Sequence, residues 1–341
     1  MRQLALNDNK YYMNIITTRT PLRISFAGGG TDLPAFYNIE EGAVLSTAIN
    51  KYLYVTVKRH GNLFNENYRL NYSESELTNT LDEINNEIAR ECIRFVGIEP
   101  PLYISTIADI PGSSGLGSSS SFAVGLLNAL HFMKGNRVSA AQLASEACHI
   151  EIEVLKKPIG KQDQYAAAFG GMNHFIFKPN GQVFMESKSI ESKIGSELFD
   201  SILMFWTGIT RSADSILQVQ QNNTESKMAE LIEMRDMSYE LSNVLDTVSD
   251  IVKFGEILSK GWYRKQTLAN TISNPQINQW FSRAIEAGAL GGKLLGAGGG
   301  GFLLFIVRDE NKQRVRNVLS ELKEVIVGYE PRGSIVLPMQ G

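Results

Sequence analysis

Pro111-Gly112-Ser113-Ser114-Gly115-Leu116-Gly117-Ser118-Ser119-Ser120-Ser121 is the stretch on which the reading of this chain turns. From Gly112 to Ser121 nine of ten residues are Gly or Ser, and an apolar run of helical length, Phe122 to Met133, follows at once. A flexible loop ending in hydroxyls at a helix start is an anion site. Backbone N–H groups point outward there, the helix dipole favours negative charge, and missing Cβ atoms allow close approach. The competing reading is a mobile Gly/Ser linker, but a linker has no reason to lead into a helix that is apolar nearly all round. Phosphate binding is the stronger expectation.

Composition narrows the rest. A chain of 341 residues makes one large or two modest domains. Its net charge of -3 offers no cation excess for nucleic acid or an anionic membrane. No apolar stretch nears the ~20 residues that span a bilayer. Cys92 and Cys148 fall in helix-like patterns and read as small buried hydrophobes, with no disulfide framework and no zinc spacing. A reducing cytoplasm is therefore expected. The histidines at 60, 131, 149 and 174 lack metal spacing as well. Met1 to Tyr12 lack a signal-peptide core and are expected to be a disordered extension, Met13 being an alternative start.

Before the loop, Arg19 to Phe26 alternates as a strand, with Leu22, Ile24 and Phe26 on one side and Arg23 and Ser25 on the other. Gly28-Gly29-Gly30 ends it and Thr31-Asp32 follows on the turn. Further strands are predicted at Tyr52 to Lys58, Tyr68 to Tyr72 and Leu102 to Ile107. A helix carries Leu81, Ile84, Ile88, Cys92 and Phe95 on one face and stops at Gly97. After the loop, Ser139 and Gln142 open a capped helix whose buried stripe is Leu143, Ala147, Ile150 and Val154. Glu146, Glu151 and Glu153 all lie roughly 60–90° off that stripe at about 100° per residue, so helix geometry does not choose among them. Past Pro158, Ile159-Gly160-Lys161-Gln162-Asp163-Gln164 leads into the small-residue segment Tyr165 to Gly171. A carboxylate there, close to glycines and Lys161, suits an active site, although a solvated loop Asp is the commoner case.

The chain turns polar over residues 180–195, where a domain boundary is expected: residues 13–190 form the first domain and 191–341 the second. The second half predicts a strand at Ser201 to Trp206 and helices over 213–248, 251–268, 275–287 and 311–323. Strands follow at Phe302 to Val307, Val325 to Val327 and Ser334 to Leu337. A Met/Leu stripe (Met228, Leu231, Met234, Leu241, Leu245) reads as core. The mixture lacks regular βαβ alternation, so the fold class is α+β. Gly296 to Gly301 formally satisfies G-x-G-x-x-G, but it follows a helix-like stretch and opens a strand, the reverse of the dinucleotide context. No Gly-Lys-Ser/Thr closes the Gly/Ser loop, which excludes P-loop chemistry.

Three glycine-rich elements in this order resemble the signature motifs of the GHMP kinases: Pro21 to Asp32, Pro111 to Ser121, and Lys293 to Phe302. The wording from Arg19 to Pro34, together with Pro158 to Gln164, resembles the D-glycero-α-D-manno-heptose 7-phosphate kinases of that superfamily. The resemblance implies a two-domain fold, with an N-terminal domain like the second domain of ribosomal protein S5 and a ferredoxin-like C-terminal domain. ATP and substrate would meet between them, with Mg²⁺ as the second cofactor. Pro111 to Ser120 would form the ATP loop, the Gly115–Ser120 backbone wrapping the phosphates. Ser119 would reach Mg²⁺, as would Glu151, seven residues before Pro158. Asp163 would be the catalytic aspartate and Arg23 the basic residue of the first motif. Asp32 would accept a substrate hydroxyl, with Gly29, Gly30 and Thr31 on the same loop. Gly28-Gly29-Gly30-Thr31-Asp32 stands where galactokinases carry Gly-Glu-His-Thr-Asp, which argues against galactose.

The implied reaction is ATP-dependent phosphorylation of the anomeric C1 hydroxyl of heptose 7-phosphate to the 1,7-bisphosphate, on the way to nucleotide-activated heptose. Asp163 would take or orient the hydroxyl proton, and Arg23 would stabilise both that carboxylate and the developing alkoxide. A distal phosphate needs cations, for which Lys161, Lys157, Arg211 and Lys51 are candidates by loop position. The same residues serve equally as solvated surface charges. The alternatives are another sugar-1-kinase (fucose, galactose or uronic acid type) and a non-catalytic sugar and ATP sensor, against which Arg23, Glu151 and Asp163 speak. Expected partners are ATP and a small sugar or sugar phosphate, without nucleic acid or membrane; a homodimer is left open.

Overall fold

The structure is a computed structural model describing residues 15–338, apart from 62, 190–192, 211, 212, 248 and 249, and only the backbone of 193–196 and 247. The expected extension Met1 to Tyr12 lies outside the described residues. Strand β1 (Ile15–Ala27) begins with alternate residues buried, but from Thr20 onward every side chain is covered. A short helix, α1 (Pro34–Tyr37), leads to β2 (Gly42–Lys58), which starts well before the predicted Tyr52. Its first eight residues are all buried, so they show no period-two alternation to read. β3 (Tyr68–Asn71) and β4 (Ser75–Thr78) form a small hairpin.

Helix α2 (Glu87–Val96) ends at Gly97 in the left-handed region, as the sequence predicts, but starts later than Leu81. Leu81–Glu83 is a separate 3₁₀ turn, and the Asn86 side chain accepts from Ala89 N at 3.0 Å, which fixes the true start. β5 (Leu102–Ala108) and the buried α3 (Ser118–Met133) follow. α4 (Ala140–Cys148) opens with Ser139 accepting from Gln142 N at 3.2 Å. Both cysteines are free and buried. The small-residue segment after Lys161 is a helix, α5 (Gln162–Phe169), and β6 (Met172–Phe177) and β7 (Val183–Lys188) extend the first sheet through the polar stretch.

The second half runs α6 (Lys193–Ser201), β8 (Ile202–Trp206), α7 (Ala213–Asn222), α8 (Met228–Thr247), α9 (Ile251–Gln266), α10 (Pro275–Glu286), β9 (Ala289–Leu294), β10 (Phe302–Val307), α11 (Asp309–Val318), β11 (Lys323–Glu324) and β12 (Ile335–Val336). The expected single helix over 213–248 is broken near Thr224, whose hydroxyl bonds back to Gln220 O, while Asn223 reaches Leu268 O at 3.0 Å. The stretch before Gly296 is a strand rather than a helix, so the glycine tract joins the antiparallel pair β9 and β10. The dinucleotide pattern fails because no helix follows it.

Two sheets result, ordered β12-β1-β2-β5-β3-β4 (with β6 and β7 beside β2) and β11-β8-β10-β9, so the class is α+β. One core lies under α2, α3 and α4, and another fills the second half around Trp262 and Phe305. A third joins the halves, packing Leu22, Ile24 and Phe26 of β1 against Met204, Leu241 and Phe254. That covering explains why the second part of β1 is buried on both faces. Its polar residues Arg23 and Ser25 are consequently buried too, and face a cavity rather than bulk solvent.

Candidate active site

A cavity of about 640 Å³ lies between the two halves. The Gly/Ser loop forms one wall. Gly117, at φ +79, immediately precedes α3, so the first N–H groups of that helix open toward the cavity. Gly112, Ser113, Gly115, Gly117, Ser118, Ser119 and Ser120 line it. Three residues expected in the binding loop face elsewhere. Leu116 is buried in the inter-domain core with its carbonyl accepting from Arg23 N at 3.1 Å, Ser114 is buried, and Pro111 is exposed outside the lining. Gly115 touches the third glycine tract so closely that a Cβ on it would sit 2.7 Å from Leu295 O. Backbone apposition against Gly115 is sufficient to require glycine at Gly296.

Beside the helix start, Arg23 grips Asp163 in a fork: Nε donates to Oδ1 at 2.7 Å and Nη2 to Oδ2 at 2.8 Å, while Nη1 donates to Gly115 O at 2.7 Å. The Arg23 side chain is 6% exposed and that of Asp163 23%, so the carboxylate is the wetter partner. Gly117 leaves room for the pair; a Cβ there would lie 3.2 Å from Asp163 Oδ2. Asp32 is buried nearby and accepts from Gly30 N (2.9 Å) and Gln162 N (3.2 Å). Burial raises its carboxyl above the usual range, the backbone donors oppose that, and the Asp163 charge adds to it.

The structure separates the three glutamates the helical wheel could not. After α4 the chain winds into a wider π-helical turn, His149–Val154, which alters the angular step of the helix. Glu151 turns fully inward, accepting from Ser119 Oγ at 3.1 Å and Gln164 Nε2 at 2.8 Å. Burial raises its carboxyl, against hydrogen bonds from Ser120, Gln164 and Ser119. Glu153 is 68% exposed and pairs with His149, while Glu146 pairs with His131. Val154, expected in the buried stripe, is exposed for the same reason. Among the described residues no group of three or more His, Cys, Asp or Glu could hold a metal. One buried carboxylate beside one hydroxyl is an oxygen-only donor pair. It suits a hard cation that takes its other ligands from phosphate and water.

Other expected residues scatter. Gly29 and Gly30 line the cavity, but the Thr31 hydroxyl is spent on Gly28 O (2.8 Å) and Ala43 O (3.1 Å). Lys161 points away, donating to Gly181 O at 3.0 Å with its ammonium 4.7 Å above the Tyr37 ring. Lys51 is outside the lining, Lys157 is in it, and Arg211 lies outside the described residues. Met234, read as core, is buried yet also borders the cavity.

The sequence reading missed Lys265 and the role of Lys293. Lys265 sits in the last turn of α9, where a cation ordinarily just complements the helix dipole. Here it is buried, donates to Gly296 O and lines the cavity. Burial and then Arg23 push its ammonium down to about 8, with Asp32 and Asp163 opposing. Lys293 donates to Phe26 O at 2.8 Å. Ser25 Oγ, Gln162 Oε1 and Gln220 Nε2 are buried at the cavity without hydrogen-bond partners among the described residues.

Comparison with known proteins follows the same outline. The profile of the GHMP kinases N terminal domain matches residues 79–171, and that of the GHMP kinases C terminal matches residues 212–327. The D-glycero-alpha-D-manno-heptose 7-phosphate kinase of Campylobacter jejuni is 31% identical over 318 residues, covering 90% of this chain and 94% of that protein. An L-fucokinase/L-fucose-1-P guanylyltransferase of Bacteroides fragilis is 26% identical, over 91% of this chain but 36% of its own length. The crystal structure of a D-glycero-D-manno-heptose 1-phosphate kinase from Bacteroides thetaiotaomicron superposes with a TM-score of 0.77 at 25% identity, covering 96% of this chain and 100% of that one.

Proposed function

From the premise that this chain belongs to the GHMP kinase family and is an ATP-dependent kinase, we propose that it phosphorylates the C1 hydroxyl of D-glycero-D-manno-heptose 7-phosphate. The observation that carries the reading is the Arg23–Asp163 fork set directly beside Gly117, the residue that opens α3, on the wall of one cavity. The helix start, read as the phosphate site, thus stands next to a carboxylate able to receive a proton. The buried, unpartnered polar atoms of Ser25, Gln162 and Gln220 favour a polyhydroxylated acceptor, because each would otherwise stay unsatisfied. The Campylobacter relative's name points to heptose 7-phosphate, and the Bacteroides thetaiotaomicron structure's name to a heptose 1-phosphate; both support a heptose phosphate, and the C1 acceptor is this proposal's own choice.

In this mechanism the backbone N–H groups at Gly117–Ser120 hold the ATP phosphates. Asp163 receives the proton of the acceptor hydroxyl as its oxygen bonds to the γ-phosphorus and the bond to ADP breaks. Arg23 holds Asp163 in one orientation and favours negative charge at the new ester oxygen. Asp32, fixed by Gly30 N and Gln162 N, accepts a hydroxyl of the sugar. Ser119 and Glu151 would hold Mg²⁺, which when bound neutralises phosphate charge. Lys157, the candidate cation that does line the cavity, is available to a distal phosphate.

Incubation of the protein with MgATP and a panel of free sugars and sugar phosphates, with ADP release as readout and phosphorus NMR of the product, tests the proposal. Turnover confined to heptose 7-phosphate with the new ester at C1 is expected. Turnover on an unphosphorylated sugar, or none at all, refutes it.

A further inference from the structure

The phosphate loop carries no lysine of its own, and Arg23, the cation nearest to it, is fully engaged by Asp163 and Gly115 O. Lys265 is different. The residue is only 7% exposed, comes from the other half of the chain and makes no ion pair among the described residues. An ammonium has three N–H donors, and here Gly296 O accepts from it at a cavity wall. A buried cation without a counter-ion is costly unless a ligand supplies one.

Its position says which ligand. Gly296 packs directly on Gly115 of the phosphate loop, where a Cβ on Gly296 would lie 2.4 Å from Gly115 Cα. Lys265 in turn feels the charges of Asp32 and Asp163. A phosphoryl group in transit must lie between the loop that holds the donor and the carboxylate that takes the acceptor's proton. Lys265 is tied to both sides. Lys293 is the other buried lysine, but its ammonium is committed to Phe26 O, and the charges it feels are those of Lys265 and Arg23.

We infer that Lys265 is the ligand of the transferred γ-phosphoryl group of ATP, supplying from α9 the cation that the Gly/Ser loop lacks. The inference rests on the ATP-dependent kinase reading but not on the identity of the sugar.

The test is calorimetric binding of MgADP and of the magnesium complex of the non-hydrolysable β,γ-imido analogue of ATP to wild type, Lys265→Met and Lys265→Arg. A lost charge-assisted contact predicts that Lys265→Met weakens the triphosphate about 10- to 100-fold while MgADP binding stays within about twofold. Lys265→Arg, which keeps the charge, should recover most of the loss. Equal weakening of both nucleotides, no weakening of either, or a loss confined to the sugar phosphate overturns the inference. Should Lys265→Met fail to fold, Lys265→Gln and Lys265→Arg carry the same comparison. Wild-type turnover on the sugar panel separates the two conclusions. A protein inactive on every sugar, yet losing triphosphate preference in Lys265→Met, refutes the heptose reading and upholds the γ-phosphoryl ligand.

Discussion

The Arg23–Asp163 fork allows its own coupling to be measured. In Asp163→Asn one of the two acceptor oxygens becomes an amide nitrogen, so one Arg23 N–H loses its acceptor and meets a donor instead. A hydrogen bond to a charged partner contributes about 1.5–3 kcal/mol. Stranding a fully buried charge costs about 3–5 kcal/mol, but the Arg23 left behind, though 6% exposed, keeps Gly115 O and one side-chain oxygen as acceptors, which offsets part of this. The expected loss of stability is therefore about 2 kcal/mol. The loss of the proton acceptor lowers kcat by at least ~100-fold, with ATP affinity little changed. Arg23→Met alone leaves the carboxylate unpaired, and Arg23→Met/Asp163→Asn removes both ends. The double variant should thus be less destabilised than the sum of the singles, by about 1.5–3 kcal/mol. Denaturant unfolding of the four proteins gives the coupling, and ADP release gives the rate. Additivity within about 0.5 kcal/mol would refute the fork, and an Asp163→Asn protein within about tenfold of wild-type kcat would refute Asp163 as proton acceptor.

Four further outcomes are expected. Glu151→Gln should raise the Mg²⁺ concentration for half-maximal rate by at least ~10-fold while exposed Glu153→Gln leaves it unchanged; equal effects would refute the inward turn of the π-helical segment. Gly117→Ala and Gly135→Ala carry similar left-handed strain, roughly 1–2 kcal/mol, but only the former drives a Cβ toward Asp163. Gly117→Ala should lower kcat by ~10-fold or more and Gly135→Ala should not, as initial rates at saturating substrate would reveal. Lys265, faced by Arg23, Lys293, Asp32 and Asp163, ionises near 8 in the folded protein and near 10.4 when unfolded. The unfolded chain binds the extra proton between those values, so the burial cost is full below pH 8 and vanishes as pH rises toward 10.4. Lys265→Met should thus be more stable than wild type at pH 7 by up to about 3 kcal/mol, converging above pH 10 in thermal melts. If Lys265 binds phosphate as the ammonium, kcat/KM for ATP in wild type should fall above about pH 8, a limb absent from Lys265→Arg.

The sequence alone determined a good deal. Gly and Ser at Gly112–Ser121 leading into an apolar helix dictate a helix start whose backbone N–H groups are open to a cavity, because only small residues leave them uncovered. Local signals also settled the Ser139 cap and the Gly97 stop, whereas the alternation read over Arg19 to Phe26 is lost to burial on both faces from Thr20 onward. Tertiary structure decided whatever depends on two distant segments meeting. The first half of β2 was illegible because burial on both faces erases the alternation that marks a strand. By helical step Glu151 stood level with Glu146 and Glu153, and only the resemblance singled it out; a π-helical turn, invisible to a constant step, is what rotates it inward. Thr31, Leu116 and Lys161 sit beside cavity residues in sequence, yet each side chain turns to a partner away from the cavity. Lys265 carried no local mark at all. It reads as one more cation ending a helix, and only the packing of α9 against the third glycine tract directs its ammonium into the cavity shared with Arg23 and Asp163.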